Sequence, residues 1–183
     1  MSRFPLAAWP QVTWHSNPRN THFGAPRGGR FPVHGACDLI VPAGTKVLAV
    51  QDGVVIRTYP FVTYSCNESG KHKTTTTWAI DVAHNNFTAR YGEVSCVIPV
   101  SAGSTISEGQ VIAEVGIQCG GSMLHFELFD SPDRRDYLTD SDTPGKRYLY
   151  VPPAHYERRN DLLDPTFLLD RWYSELPALL DDQ

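Results

Sequence analysis

Three side chains that can bind a metal ion stand in two short segments of the sequence. His34 and Asp38 are separated by three residues in H-G-A-C-D, and His125 follows much later in S-M-L-H-F-E. Two imidazoles and one carboxylate with a fourth position left open are typical of catalytic zinc, whereas structural zinc has four protein ligands. Taken singly, each residue has an ordinary alternative: His34 in a loop, Asp38 capping a turn, and His125 hydrogen-bonded on a sheet.

The segment around His125 has the two-residue alternation of a β-strand. Side chains on a strand point to opposite faces in turn, so Met123, His125 and Glu127 share one face while Leu124 and Phe126 share the other. His125 can therefore face a metal while its neighbours pack in the core. Because a metal-bound histidine usually donates its second N–H to a carboxylate or carbonyl, we expect Glu127 to orient an imidazole.

The elements that position these residues are predicted to be strands. From Asp38 to about residue 129, short β-branched runs alternate with turn signals at 42–44, 52–53 and 108–109, each containing a glycine. Glycine accepts the positive φ that such turns need. The pattern predicts a mainly β fold, with a twisted antiparallel sheet as its core.

A long hairpin and a glycine-rich loop are expected to border the site. The polar segment 60–76 has no helical pattern, and we predict a hairpin excursion there. Together with the loop at Gly120-Gly121, it would form the walls of a surface groove that holds the metal.

The two ends of the chain lack the strand pattern of the central region. Residues 1–33 are rich in proline and glycine and predict loops, and the chain is again polar and loop-like from 130 through 147. Asp164-Pro165 predicts the start of a short C-terminal helix, whose apolar face would comprise Phe167, Leu168, Leu169, Trp172 and Tyr173. We expect residues 1–22 to be an N-terminal extension and 23–183 a single domain that includes the C-terminal tail.

Composition excludes several classes of protein. The 183 residues carry a net charge of −4 with scattered Lys and Arg, so no nucleic-acid partner is expected. Apolar runs fall well short of the ~20 residues that cross a bilayer, which predicts no membrane span. The N-terminal residues contain no apolar signal segment with a cleavage site, so we expect either a sequence that begins after a removed signal or export by a dedicated secretion system or by lysis.

The four cysteines give no motif. Cys37, Cys66, Cys96 and Cys119 have no C-x-x-C spacing, which indicates neither a zinc ribbon nor a thioredoxin-type pair. Two disulfides would be compatible with an oxidising compartment, but four cysteines allow three connectivities and buried free thiols are an equal alternative.

Three stretches resemble the lysostaphin-like (LytM-type) zinc metalloendopeptidase family. They are FGAPRGGRFPVHGACDLIVPAGTKVLAVQDGVV, ARYGEV and GSMLHFELF, and the tail RRNDLLDPTFLLDRW is similar to one branch of the family with R-Y-G-E and S-M-L-H-F-E motifs. The resemblance implies that His34, Asp38 and His125 hold one Zn²⁺ per chain. It also implies hydrolysis of peptide bonds in bacterial peptidoglycan.

The sequence departs from the family pattern at two positions. Most members have histidines where this chain has Glu93 and Met123. Methionine cannot carry a proton or donate a hydrogen bond, but a carboxylate beside zinc-bound water is a recognised general base, so Glu93 is the predicted catalytic residue. The alternative for Glu93 is a surface carboxylate paired with Arg90. Tyr91, Met123 and Glu127 are expected around the metal ligands or in the substrate groove.

These expectations describe a zinc metallopeptidase acting in the periplasm or at the cell wall. A secreted antibacterial effector or a lysin would fit, and an effector would imply an immunity protein as partner; we expect a monomer. One alternative is a zinc-bearing but catalytically quiet module that binds peptidoglycan or regulates a hydrolase. Another is a structural or carbohydrate-binding β domain in which the motifs are coincidental.

Overall fold

The computed structural model describes residues 2–26, 33–68, 71–130, 146–151, 154–159 and 162–175. The elements within these ranges are β1 (Cys37–Ile40), β2 (Lys46–Leu48), β3 (Gly53–Glu68), β4 (Lys71–His84), β5 (Phe87–Val94), β6 (Thr105–Ile106), β7 (Val111–Glu114), β8 (Met123–Asp130), β9 (Lys146–Val151), β10 (Ala154–Arg159), β11 (Leu162–Leu163) and α1 (Thr166–Ser174).

Most of these strands form one antiparallel sheet. Within the described part of the chain it has seven strands in the order β1-β8-β5-β4-β3-β6, with β11 pairing with β8. Every pairing in it is antiparallel. Strands β2 and β7 form a small second ladder, and β9 and β10 form a third. The predicted mainly β, antiparallel fold is confirmed.

Strand β8 lies inside the main sheet and shows the predicted alternation. Leu124, Phe126 and Leu128 are all fully buried in the core, with an exposed fraction of 0%. His125 and Glu127 point to the opposite face, which carries the candidate site, and their side chains contact each other there. The period of two therefore positions the metal-facing side chains, and burial of their neighbours fixes the register of the strand.

Two of the three predicted turn glycines behave as expected, and one does not. Gly44 and Gly109 have φ of +84° and +77°, the left-handed conformation that glycine adopts without strain. Gly53 instead begins β3 with no positive φ. A Cβ there would lie 2.6 Å from the carbonyl oxygen of Ala83 on β4, so glycine is needed for close strand approach.

The N-terminal segment packs against the sheet. Phe4 and Leu6 are buried in the core, Leu6 forms a bridge with Val47, and the N–H of Arg3 donates to the carbonyl of Val50. These contacts tie an irregular segment to the strands without extending the main sheet. The predicted boundary between residues 22 and 23 stays a prediction.

The C-terminal helix starts directly after Pro165, as predicted. Leu169 and Trp172 are buried in the core, whereas Phe167, predicted for the apolar face, is 74% exposed. Only the part of a short helix that meets the sheet can be buried, and Phe167 lies outside that contact. Nowhere in the described ranges is a helix long and apolar enough to cross a membrane.

Only part of the polar loop predicted through residue 147 falls within the described residues. Residues 131–145 lie outside the described residues, but β9 already begins at Lys146 and pairs with β10. The prediction of a loop is therefore wrong for residues 146 and 147. Polar composition alone does not distinguish paired antiparallel strands from a loop, because a face of an antiparallel ladder can be polar.

Strands β3 and β4 form the long hairpin predicted around 60–76. A disulfide joins Cys66, near its tip, to Cys119 in the loop before β8, and Cys37 and Cys96 are free. Neither alternative left open by the sequence, two disulfides or buried free thiols, is found in full: one disulfide forms, the Cys37 thiol is buried and the Cys96 thiol is exposed. Burial raises the pKa of the Cys37 thiol to about 12, which keeps it protonated.

Removal of the disulfide should destabilise the protein. The bond closes a loop with a sequence separation of 53 residues, for which loop-closure entropy gives about 4 kcal/mol. Urea unfolding of the Cys66→Ser/Cys119→Ser variant should show this loss, and Cys96→Ser serves as a control because Cys96 is exposed and free. Equal unfolding free energies for wild type and the double variant would contradict the prediction.

Candidate metal centre

Pairing of β1 with β8 brings the three predicted ligands together. Asp38 lies directly opposite His125 in the register, and His34 precedes β1. Oδ1 of Asp38 is 3.0 Å from Nδ1 of His125 and 3.1 Å from Nε2 of His34, and the two imidazole nitrogens are 3.4 Å apart. Ligands about 2 Å from a tetrahedral zinc lie roughly 3.3 Å from each other, so the spacing suits one ion.

Backbone contacts hold His34 in place. Its N–H donates to the carbonyl of Ala25, and its carbonyl accepts from the N–H of Gly24, both at 2.8 Å. Nδ1 of the ring lies 3.0 Å from the carbonyl oxygen of His22. Because a carbonyl only accepts, Nδ1 carries the proton, and the lone pair of Nε2 is directed at the shared pocket.

His125 has the opposite arrangement of its ring nitrogens. Nε2 lies 2.8 Å from Oε1 of Glu127, so this nitrogen donates and Nδ1 faces Asp38 and His34. The other oxygen of Glu127 accepts from Nη1 of Arg90 at 2.9 Å. Glu127 thus contacts the imidazole that the sequence predicted it would orient.

Burial and the hydrogen bonds within this cluster shift the pKa values of Asp38 and His125 in opposite directions. Burial raises the pKa of Asp38, but hydrogen bonds from His125 and His34 outweigh it and hold that pKa below its usual range. Burial also lowers the pKa of His125, but hydrogen bonds to Asp38 and Glu127 outweigh it and raise the pKa to about 10. Without metal, His125 is therefore an imidazolium between two carboxylates at neutral pH.

Zinc affinity should consequently rise with pH. Because the pKa of His125 is about 10 in the metal-free protein, Nδ1 is protonated below that pH and a binding ion must displace the proton. One displaced proton increases apparent affinity about tenfold per pH unit. Competition titrations against a chelating indicator across the neutral range would measure the slope. An affinity that does not change over this range would contradict protonation of Nδ1 of His125 in the metal-free protein.

The donor set fits zinc. Two imidazole nitrogens and one carboxylate oxygen suit zinc and similar transition metals, whereas magnesium and calcium prefer oxygen alone. The side chains of His34 and Asp38 are 6% and 8% exposed, and that of His125 is 16% exposed. The pocket is therefore shielded but still reachable by a small ligand.

Glu93 stands next to the residue that pairs with His125. Gly92 lies opposite His125 in the register, and Glu93 follows it at a register shift in the β4–β5 pairing, with a φ of +63°. This conformation is uncommon for a residue other than glycine and marks positions held by their surroundings. The residue is 6% exposed, so it is not the surface carboxylate of the alternative interpretation.

Two hairpin residues that the sequence analysis missed reach the site. The ring of Phe61 lies 5.4 Å from that of His125 between centroids, and the hydroxyl of Tyr64 donates to Oε1 of Glu93. Residues three apart on a regular strand face opposite sides, but a register shift between Pro60 and Thr63 changes the alternation. Burial and the neighbouring Glu93 raise the pKa of Tyr64, so its hydroxyl keeps the proton it donates.

The loop before β8 also contacts Glu93. Nε2 of Gln118 donates to the carbonyl of Met123 at 2.7 Å and, at 3.4 Å, to that of Glu93. The next residue, Cys119, is disulfide-bonded to Cys66 on the hairpin. The two walls predicted for the groove are thus covalently joined beside the site.

Of the remaining predicted site residues, Met123 lies on the same sheet face as His125, and Tyr91 lies on the opposite face. Met123 is half-buried on β8, two residues before His125 and on the same face. Tyr91 is not brought to the ligands. The residue is fully buried. Its hydroxyl oxygen accepts from the N–H of Val50 at 3.0 Å and lies 3.0 Å from Nε2 of His84. Its ring faces the core side of β5, opposite to the site.

Comparison with known proteins identifies the family and the fold of the chain. Residues 32–136 match the model of peptidase family M23. CbpA from L. salivarius REN has a TM-score of 0.54 at 20% identity, covering 96% of this chain and 98% of that chain. For the catalytic domain of lysostaphin from Staphylococcus simulans, the TM-score is 0.51 at 17% identity, with 81% and 90% covered.

Similarity also extends to a longer protein. A zinc containing peptidase from Vibrio cholerae is 25% identical with a TM-score of 0.49, and the match covers 90% of this chain but 39% of that protein. The family match itself spans more than half of the present chain and includes all three predicted ligands and Glu93. The chain therefore belongs to peptidase family M23, and the resemblance to the lysostaphin-like peptidases is confirmed.

Proposed function

We propose that the chain is a zinc-dependent endopeptidase that hydrolyses peptide bonds in bacterial peptidoglycan. The observation that carries the proposal is the cluster of His34, Asp38 and His125, whose ligand atoms all lie within 4.8 Å of one another. Zinc held by Nε2 of His34, Oδ1 of Asp38 and Nδ1 of His125 would polarise the scissile carbonyl and acidify a water molecule.

Glu93 is the proposed general base. Its carboxylate would accept a proton from the water that attacks the carbonyl carbon, and pass it to the leaving amine nitrogen as the carbon–nitrogen bond breaks. The hydroxyl of Tyr64 holds Oε1 of this carboxylate in one position. Phe61 packs on the ring of His125, so the hairpin shields one side of the pocket from water.

A location outside the reducing cytoplasm fits the cysteines. Disulfides persist in oxidising compartments such as the periplasm and the cell surface, and the bond between Cys66 and Cys119 borders the site. Action on peptidoglycan requires the same location. We propose that the protein acts in the periplasm or at the cell wall as a secreted antibacterial effector or a lysin, with an immunity protein as partner in the former case.

A second candidate follows from the replaced histidines. The resemblance to the lysostaphin-like peptidases implies that Glu93 and Met123 occupy positions where most members have histidine. Without those groups, a protein could retain zinc yet only bind peptidoglycan or regulate another hydrolase. The burial of Glu93 and its bond from Tyr64 favour the enzyme, because a binding surface does not need a buried carboxylate held in one position.

Product analysis would separate the two candidates. Sacculi of several peptide chemotypes would be incubated with the zinc-loaded protein, and the released fragments analysed by mass spectrometry. We expect fragments that have gained one water and one new amino terminus at a peptide bond of the stem or cross-bridge. Binding to sacculi without such fragments in any chemotype would support the quiet module.

A further inference from the structure

A row of alternating charges crosses four neighbouring strands and reaches the candidate site. In the register, Arg57 on β3 pairs with Asp81 on β4, Asp81 with Arg90 on β5, and Arg90 with Glu127 on β8. The side chains are bonded in the same order: Arg57 Nε to Asp81 Oδ2 at 2.8 Å, Arg90 Nε to Asp81 Oδ1 at 2.9 Å, and Arg90 Nη1 to Glu127 Oε2 at 2.9 Å. The row ends at the imidazole of His125.

Arg90 occupies the central place in this row. Its side chain is 13% exposed, and its guanidinium carbon lies 5.9 Å from the ring centroid of Phe61 and 5.2 Å from that of Phe129. Asp81, its partner on β4, is fully buried. Aromatic rings above a planar guanidinium limit its rotation, so its two carboxylate contacts are fixed in direction.

Such a row is poorly explained by stability alone. A buried ion pair costs several kcal/mol in desolvation for each ion, and well-packed apolar residues often serve stability equally well. A metal-bound imidazole requires an acceptor fixed in position, because the partners that accept its second N–H set ring orientation and tautomer. Here the guanidinium of Arg90 fixes one oxygen of Glu127 while the other oxygen accepts from Nε2 of His125.

We infer that Arg90, anchored by Asp81, is a positioning residue for the metal centre: it holds Glu127 so that Nδ1 of His125 is directed at the ion. This inference rests on the proposed zinc site. Lysine at position 90 would keep the positive charge but not the two-sided geometry, since an ammonium cannot reproduce a planar fork that bonds Asp81 and Glu127 together.

The test compares zinc affinity in wild type, Arg90→Lys and Arg57→Gln by competition with a chelating dye at one pH. Loss of a partner behind a metal ligand typically weakens affinity about 10–100-fold, and we expect this for Arg90→Lys. Arg57→Gln is the matched control, because it removes a guanidinium from the same Asp81 without touching Glu127. It should change affinity by less than about threefold, since it leaves the partner of His125 in place.

A second readout reports the geometry directly. Cobalt-substituted Arg90→Lys should show a shifted visible absorption spectrum, and Arg57→Gln should match wild type. Circular dichroism and thermal melting of the metal-free proteins would establish that both variants are folded. Should Arg90→Lys fail to fold, Glu127→Gln tests the same link one bond nearer to His125, with the same expected loss of affinity.

Three outcomes would count against the inference, and they differ in meaning. A wild type that binds no zinc would overturn the metal centre itself, and the proposed function with it. A wild type that binds zinc together with a folded Arg90→Lys of equal affinity would overturn only the role of Arg90. Equal losses in Arg90→Lys and Arg57→Gln would show a general effect of the charged row on the sheet.

Discussion

Glu93→Gln should leave zinc bound while hydrolysis of peptidoglycan peptides falls by about 10²–10⁴-fold, the usual contribution of a general base. Glutamine retains the shape of the side chain and an oxygen that can accept from the hydroxyl of Tyr64, but it cannot take a proton from water. Because Glu93 is not among the three clustered ligands, zinc content should stay at one ion per chain.

The control for this variant is Glu114→Gln. Glu114 pairs with Lys46 on the small ladder, and its side chain is 45% exposed, so the change removes a carboxylate of the same kind away from the pocket. Steady-state hydrolysis of a defined stem peptide would be measured for both variants. If Glu93→Gln cleaved as fast as wild type, Glu93 would have no part in proton transfer.

His125→Ala should lose the metal. It removes one of three ligands, and zinc content measured by elemental analysis should fall from about one ion per chain to near background. Zinc at a thousand times its dissociation constant should stabilise wild type by about 4 kcal/mol, and this gain should disappear in the variant. Hydrolysis should fall to the level of protein without metal.

Two further variants guard this result against simple unfolding. Removing His125 leaves Asp38 and Glu127 without the imidazole between them, which can destabilise the metal-free fold. His34→Ala tests the same centre from outside the sheet and should lose zinc as well. His72→Ala changes an exposed histidine on the hairpin, and this variant should still bind zinc. Full zinc occupancy in a folded His125→Ala would show that the ligand set is assigned wrongly.

Much of the site follows from local patterns in the sequence. The alternation in M-L-H-F-E places His125 and Glu127 together on one face, and the structure shows both the buried neighbours and the imidazole–carboxylate contact. H-x-x-x-D places Asp38 at the start of a strand and His34 just before it. These features depend on residues close in sequence, whose relation is set by strand geometry alone.

The parts that could not be predicted depend on irregularities within strands. The register shift between Pro60 and Thr63 changes which hairpin side chains face the site, so Phe61 and Tyr64 reach it together. Glu93 likewise turns at a register shift with positive φ. A bulge adds one residue and reverses the alternation beyond it, and periodic patterns do not indicate where this occurs.

Long-range pairing sets a second limit on prediction from sequence. The row from Arg57 through Asp81 and Arg90 to Glu127 exists because four strands pair in one register. Along the chain these residues are ordinary charged positions. Cys66 and Cys119 are similarly 53 residues apart, and spacing could not choose between their bond and the alternatives. Such contacts are properties of the assembled sheet.

The most direct measurement is release of peptides from purified sacculi by metal-free protein before and after addition of one equivalent of zinc. Metal-free protein should release none, and one equivalent should restore hydrolysis with new amino termini in the products, because the pocket holds one ion between His34, Asp38 and His125. Magnesium or calcium should not substitute, since they prefer oxygen ligands. Equal peptide release with and without zinc, from protein verified to contain no metal, would contradict zinc-dependent hydrolysis at this site.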